Sequence, residues 1–360
     1  METNNKHYSD LAIPPGEYLL EASAELGLNQ ADLARRMGRP VQAISEIVKG
    51  IKAITPDTAL QLEEVLGVPA HIWTGLEADY QLIRARAQAE QHIEAEAADV
   101  GCFPYAEMAR LGWVRKTRKA IEKVRELRRF FGVASLSNLP DVRSYAPAFR
   151  KSRHKNLSHE TLAAWLRAGA LEAEQIPTRP FDKKALKALI PEFRQLSVTS
   201  PESFQQKLLK RLADVGVALV LLPHLPKTYT NGATFWIHPD KAVLMMTIRG
   251  SWADIFWFSL FHEIAHILLH DKRRIFLEDG SDDAETRVQE QEADHFASNT
   301  LIPISAYTAF TQTGIFTAQS IHNFAKSIGI APGVVTGRLQ HDGHIAHHCH
   351  SHREQYKWAL

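Results

Sequence analysis

The 360-residue sequence predicts a mainly α-helical chain, α+β overall. It divides into an all-α N-terminal domain (1–80), a helical middle region (81–200), a C-terminal domain with a small β-sheet (201–345) and a histidine-rich tail (346–360). Three observations carry this. Short capped helical segments follow one another up to residue 75. Helical periodicity continues through the middle region without strand-like runs. From residue 203 the texture changes: "VALVLLPHL", "GATFWIH" and "KAVLMMTIR" are β-rich runs split by turn signals, and a long apolar helical pattern follows them.

The elements follow in order. "PGEYLLEASAEL" has helical periodicity, with Pro15 in the first turn. Asn29 caps "QADLARRM", Gly38 ends it, and "VQAISEIVK" forms the next helix after the turn at Arg39 and Pro40. Thr55 caps a further helix whose first residue is Pro56. Residues 76–98 read as a long polar helix, a connector or a dimerisation surface. The middle region breaks at "SNLPDVRSYAP" and "EQIPTRPF". "SWADIFWFSLFHEIAHILLH" opens with Ser251 and Asp254 at capping-box spacing and then runs apolar.

The apolar content of 45% suits a chain with a real core, and a net charge of +1 excludes a global field that draws the chain onto nucleic acid. Cys102 and Cys349, the two cysteines, exclude a disulfide framework or a four-cysteine metal site and fit a reducing cytoplasm. The N-terminus lacks the pattern of a signal peptide, and the apolar runs are too short to span a bilayer, so no membrane partner is expected.

In "HEIAH", His262 and His266 are four apart, which places both imidazoles on one helix face one turn apart. That spacing lets two ring nitrogens share one Zn²⁺, and it leaves Glu263 on the adjacent edge, within reach of a metal-bound water. His270 lies two turns from His262, about 12 Å along the axis, too far to share its metal. A third ligand must come from elsewhere. In "RVQEQEADHFASNTLIP", Glu290 and Asp294 are four apart, so one can bind metal while the other accepts the second N–H of a ligand histidine. Glu290 is taken as the ligand and Asp294 as the residue behind a histidine, with Glu292 competing for the ligand role. The bland alternative is a buried helix, but such a helix does not carry two histidines and a glutamate without partners.

"FHEIAHILLH" followed by "EQEADHFASNTLIP" resembles the ImmA/IrrE metallopeptidase family over residues 200–342, with "TLIP" where "LLMP" is commoner. The resemblance implies a zincin-like metallopeptidase domain, with one Zn²⁺ on His262, His266 and Glu290 and with Glu263 as general base. The implied chemistry is attack of a zinc-activated water on a peptide carbonyl of a protein substrate. His224, Tyr229 and Tyr307 are candidates for stabilising the oxyanion.

In "QADLARRMGRPVQAISEIVKG", Leu33, Ala34, Met37, Ile44, Ile47 and Val48 form an apolar seam. Ala34 and Gly38 are small where two helices cross, as a helix-turn-helix requires. Gln42, Ser45 and Lys49 project from the other face towards bases or phosphates, and Gln30, Arg36, Arg39 and Lys52 can clamp phosphates. Residues 1–75 hold 6 basic and 10 acidic residues, and the basic ones cluster between 35 and 52, apart from Lys6. The wider segment from "IPPGEYLLEA" to "GLEADYQL" resembles the HigA-type antitoxin branch of the Xre helix-turn-helix family, most specifically in "GIKAITPDTA" and Trp73. Val41 stands where many members carry arginine. The resemblance implies a dimer that binds operator DNA, expected in the chain's own promoter, and a toxin–antitoxin, phage or stress setting.

The sequence therefore points to a DNA-binding regulator fused to a zinc endopeptidase that cleaves a protein partner. The competing expectation is a non-catalytic antitoxin or repressor whose metal domain senses a signal or binds a cognate toxin. A third keeps the enzyme but gives the helix-turn-helix to partner binding. Residues 110–129 carry nine basic and two acidic residues and are expected to form a solvated helix face. "HDGHIAHHCHSH" lacks rigid ligand spacing and is expected to be a mobile tail.

Overall fold

Pro15 opens α1 (Pro15–Glu25). The side chain of Asn29 accepts from the amide of Asp32 at the start of α2 (Gln30–Met37), and α3 (Val41–Val48) begins three residues after the left-handed Gly38. Thr55 caps α4 (Pro56–Leu66) through the amide of Thr58. Leu19, Leu33, Ala34, Met37, Ile44, Ile47, Leu62 and Trp73 form one buried cluster among these helices. Gly16 lets α1 cross α3 at backbone contact, because an added Cβ would lie 2.3 Å from the Cα of Val48. α5 (Ala70–Glu96) buries Trp73, Tyr80 and Ile93 and is otherwise largely polar. It passes through residue 80 without a break, so the boundary read there falls inside a continuous helix.

The chain folds as two compact units in this computed structural model, Met1–Ala98 and Asp99–Leu360, with residues 11–146, 148, 157–247, 252–272, 275–277 and 284–356 described. The second unit begins with α6 (Tyr105–Arg110) and α7 (Ala120–Phe131). α7 buries Val124, Leu127, Phe130 and Phe131 and pairs Arg129 with Glu126 on its solvated side. α8 (His159–Gln175), α9 (Lys183–Leu196) and α10 (Pro201–Ala213) follow. Leu186, Phe193, Phe204 and Leu208 of the last two enter the same core as the sheet, so residues before 201 build the second unit rather than link to it.

The sheet has four strands, β1 (Val217–Leu222), β2 (Gly232–His238), β3 (Lys241–Thr247) and β4 (Phe276–Leu277), in the order β1-β3-β2-β4. β1 runs parallel to β3, and β2 runs antiparallel to both β3 and β4. Along β3, Ala242, Leu244 and Met246 join the core that holds α11 (Ala253–Leu269), while Met245 lies against Gly169 of α8. Helices on both faces explain why these strands read as continuous apolar runs rather than alternating ones. α12 (Ala284–Leu301) packs along α11, and α13 (Ile304–Thr311), α14 (Ala318–Ile328) and α15 (Pro332–His341) complete the unit. No helix among the described residues is long and apolar enough to cross a membrane.

Two expectations need correction. Trp252 occupies the N-cap of α11 and makes no side-chain cap bond; Ser251 lies outside the described residues, and Asp254 instead accepts from Arg353 at 2.8 and 3.1 Å. The tail is built into the fold through residue 356 rather than mobile. Its Tyr356 is 3% exposed and accepts from the Trp257 indole at 2.8 Å, and Gln355 bridges to Trp252.

Candidate metal centre

α11 is apolar nearly all round because both the sheet and α12 cover it, which carries His262, Glu263 and His266 into the interior at 1%, 0% and 1% exposure. The two Nε2 atoms face each other at 2.9 Å. Glu290 of α12 reaches across, its Oε2 at 3.1 Å from His262 Nε2 and its Oε1 at 3.7 Å from His266 Nε2. Among the described residues this is the one cluster of three histidine, cysteine or carboxylate groups with ligand atoms within 4.8 Å of one another. Among the described residues no such group gathers around the histidines after 340.

The cluster fits a divalent cation. One proton at most lies between two facing ring nitrogens, and Glu290 Oε1 is buried with no hydrogen-bond partner. A cation satisfies the three inward lone pairs together. The protonation states agree. His266 is held below the ordinary imidazole value, first by burial, against the pull of Glu290. Burial alone raises Glu290, but the neighbouring His262 and His266 rings outweigh it and hold the carboxyl at about 2. The outward ring nitrogens also have partners. His262 Nδ1 is 2.9 Å from Asp294 Oδ1, and His266 Nδ1 is 2.8 Å from His270 Nδ1. Glu292, the competitor for the ligand role, stands away from the pair, its Oε2 3.1 Å from His270 Nε2.

Two residues of the site escaped the sequence reading. Thr234 of β2 donates to Glu263 Oε2 at 2.6 Å, and Gly232 leaves room for the same carboxylate. "TNG" reads as turn punctuation, and nothing in it signals that β2 lies against α11. The oxyanion candidates have local partners or geometry of their own. Tyr307 donates its hydroxyl to Asp342 at 2.8 Å, and burial followed by Asp342 pushes its pKa up. His224 Nδ1 bonds the Thr228 hydroxyl at 3.0 Å, and Tyr229 holds a left-handed backbone at φ 48°.

In the first unit, Ala43, Ile44 and Ile47 of α3 face the core, while Gln42 and Lys49 are exposed and Ser45 is half-buried. The Gln42 amide donates to Glu46 at 2.9 Å. Arg36 and Lys52 are exposed, and Gln30 is half-buried at the start of α2. Arg39 is already engaged: it bonds Gln61 and pairs with Asp57 of α4. That leaves it 20% exposed and makes it a tie between elements. Val41, at the position where arginine is common, is 48% exposed.

Comparison with known proteins matches two family models: a helix-turn-helix over residues 19–73 and an IrrE N-terminal-like domain over residues 226–340. Among solved structures, a putative antidote protein of a plasmid maintenance system from Nostoc punctiforme is 30% identical, covers 23% of this chain and 91% of its own, and has a TM-score of 0.23. An addiction module antidote protein of a HigA family from Coxiella burnetii is 30% identical, with 24% and 94% covered and a TM-score of 0.22. The Pseudomonas aeruginosa antitoxin HigA with higBA promoter is 31% identical, with 24% and 95% covered and a TM-score of 0.23. A search of curated proteins gives no match. The chain therefore carries an Xre-type helix-turn-helix over residues 19–73 and an ImmA/IrrE-like domain over residues 226–340.

Proposed function

We propose that the chain is a DNA-binding regulator whose second unit is a zinc-dependent endopeptidase acting on a protein partner. The observation that carries the reading is the convergence of His262, His266 and Glu290 beside the fully buried Glu263. When bound, Zn²⁺ supplies Lewis acidity and a water whose pKa falls to about 7. His262, His266 and Glu290 hold the ion, and Asp294 fixes the ring of His262. Glu263 takes a proton from the attacking water and returns it to the leaving amine. The Thr234 hydroxyl holds Glu263 Oε2 and so sets the direction of the carboxylate. In the first unit, α3 is the element that enters the major groove, with Gln42 and Lys49 exposed on it. The operator is expected in the chain's own promoter, bound by a homodimer.

Metal analysis of the purified chain and of Glu263→Gln, followed by digestion of a copurifying protein, tests the enzyme. One zinc per chain in both, with cleavage only by the unaltered chain, is expected. Zinc in both and cleavage by neither marks a sensing or toxin-binding domain instead, and undiminished cleavage by Glu263→Gln removes the base assignment. A gel-shift titration of the promoter at low salt tests the DNA half.

A further inference from the structure

The last turn of α11 carries a third imidazole that the ligand set does not use. His270 follows His266 at the spacing by which His266 follows His262, yet its backbone leaves the helix there at φ −110° and ψ 172°. Its side chain is 3% exposed. Its Nδ1 meets His266 Nδ1 at 2.8 Å, and its Nε2 meets Glu292 Oε2 at 3.1 Å. Phe276 of β4 stacks on His266 at 4.2 Å between centroids and covers His270 at 5.1 Å. Both rings are therefore confined, and their nitrogens are bound to one another in series.

We propose that His270 and Glu292 are positioning residues that select the metal-competent tautomer of His266. This rests on the metal-centre reading above. To offer its Nε2 lone pair inward, neutral His266 must carry its proton on Nδ1. That proton is donated to His270 Nδ1, so neutral His270 carries its own on Nε2 and donates it to the Glu292 carboxylate. The reverse order puts a proton on His266 Nε2, where it blocks the metal, and turns a bare His270 nitrogen towards a carboxylate that cannot donate. The carboxylate thus sets the polarity of the chain of bonds. His262 reaches Asp294 directly, whereas His266 reaches Glu292 through an intervening ring. The two carboxylates are alike in exposure, 57% and 56%, so the two histidines differ in the length of their support rather than in its setting.

Zinc titration of the metal-depleted full chain against a chromophoric chelator tests this. His270→Phe keeps a ring beside Phe276 but removes the acceptor, and a loss of affinity of about 10–100-fold is expected. Glu292→Gln is a surface isostere that leaves folding alone and accepts either tautomer, and a smaller loss in the same direction is expected. The signature is coupling: Glu292→Gln adds nothing in the His270→Phe background, while Asp294→Asn multiplies with either. Undiminished affinity in both single variants, or independent effects of His270 and Glu292, overturns the proposal. If the unaltered chain takes up no zinc, the metal centre itself fails and this inference falls with it.

Discussion

An added Cβ at Gly232 would lie 2.5 Å from Glu263 Oε1 and 2.7 Å from its Cγ, so this strand residue and the carboxylate share one space. Gly232→Ala must push the carboxylate away from Thr234. Overpacking of this kind costs about 1–3 kcal/mol, and the expected outcome is cleavage reduced at least tenfold with zinc content unchanged. Metal analysis paired with a cleavage assay checks it; unaltered cleavage would show that the position of Glu263 is not set by β2. At the same scale, Lys49 and Arg39 are expected to separate. Exposed Lys49→Ala lowers promoter affinity and reduces the salt slope by about one, whereas Arg39→Ala, which cuts the ties to Asp57 and Gln61, lowers the melting temperature of the first unit. Affinity measured across a salt series, beside thermal unfolding, distinguishes them. The spacing of His262, Glu263 and His266 was legible because it is a property of one helix. Thr234 was not, because it lies 29 positions before Glu263 and meets it only through the packing of β2 against α11.

Among elements, helices with a cap were readable, since Asn29 and Thr55 act within their own first turns. β4 was not, because a strand of two residues has no period to detect, and it exists through pairing with Ala233 and Thr234. The tail was misread for the same physical reason. Its polar composition hides one buried tyrosine and one arginine whose partner lies 99 positions away. Arg353 also covers the Trp252 ring at 4.3 Å. Burial raises the Asp254 carboxyl, and Arg353 pulls it back. An acid raised on folding contributes stability below its unfolded value, and that contribution is lost as pH rises through the folded value. In Arg353→Met the pull is gone, so the loss is larger and runs to higher pH. The gap between the unaltered chain and the variant is expected to be small near about pH 4 and to reach about 3–5 kcal/mol near neutrality. Denaturant titrations over that range check it, and a gap that does not change with pH would mean Arg353 acts by packing alone.

For the whole molecule, a net charge of +1 supplies no global field, so the proposed DNA affinity would rest on the local cluster of basic residues between 35 and 52. On the function proposed above, fusion would set where the peptidase works, or let proteolysis end repression. The sequence revealed both ends but placed the join differently: it ended the first domain at 80, whereas the compact units divide after Ala98. Polar periodicity marks where burial thins out, and α5 keeps its helix beyond that point. Each unit has its own apolar cluster, and the one cluster among the described residues that could hold a metal lies in the second. Zinc at a hundredfold excess over its dissociation constant stabilises only the unit that binds it, by about 2.7 kcal/mol. Calorimetry of the full chain is therefore expected to show two transitions. Chelation should lower the transition of the larger unit by about 5–10 °C and leave the other in place. One transition that moves as a whole would mean that the units unfold together, and the DNA-binding half would then be thermodynamically linked to the metal rather than merely tethered to it.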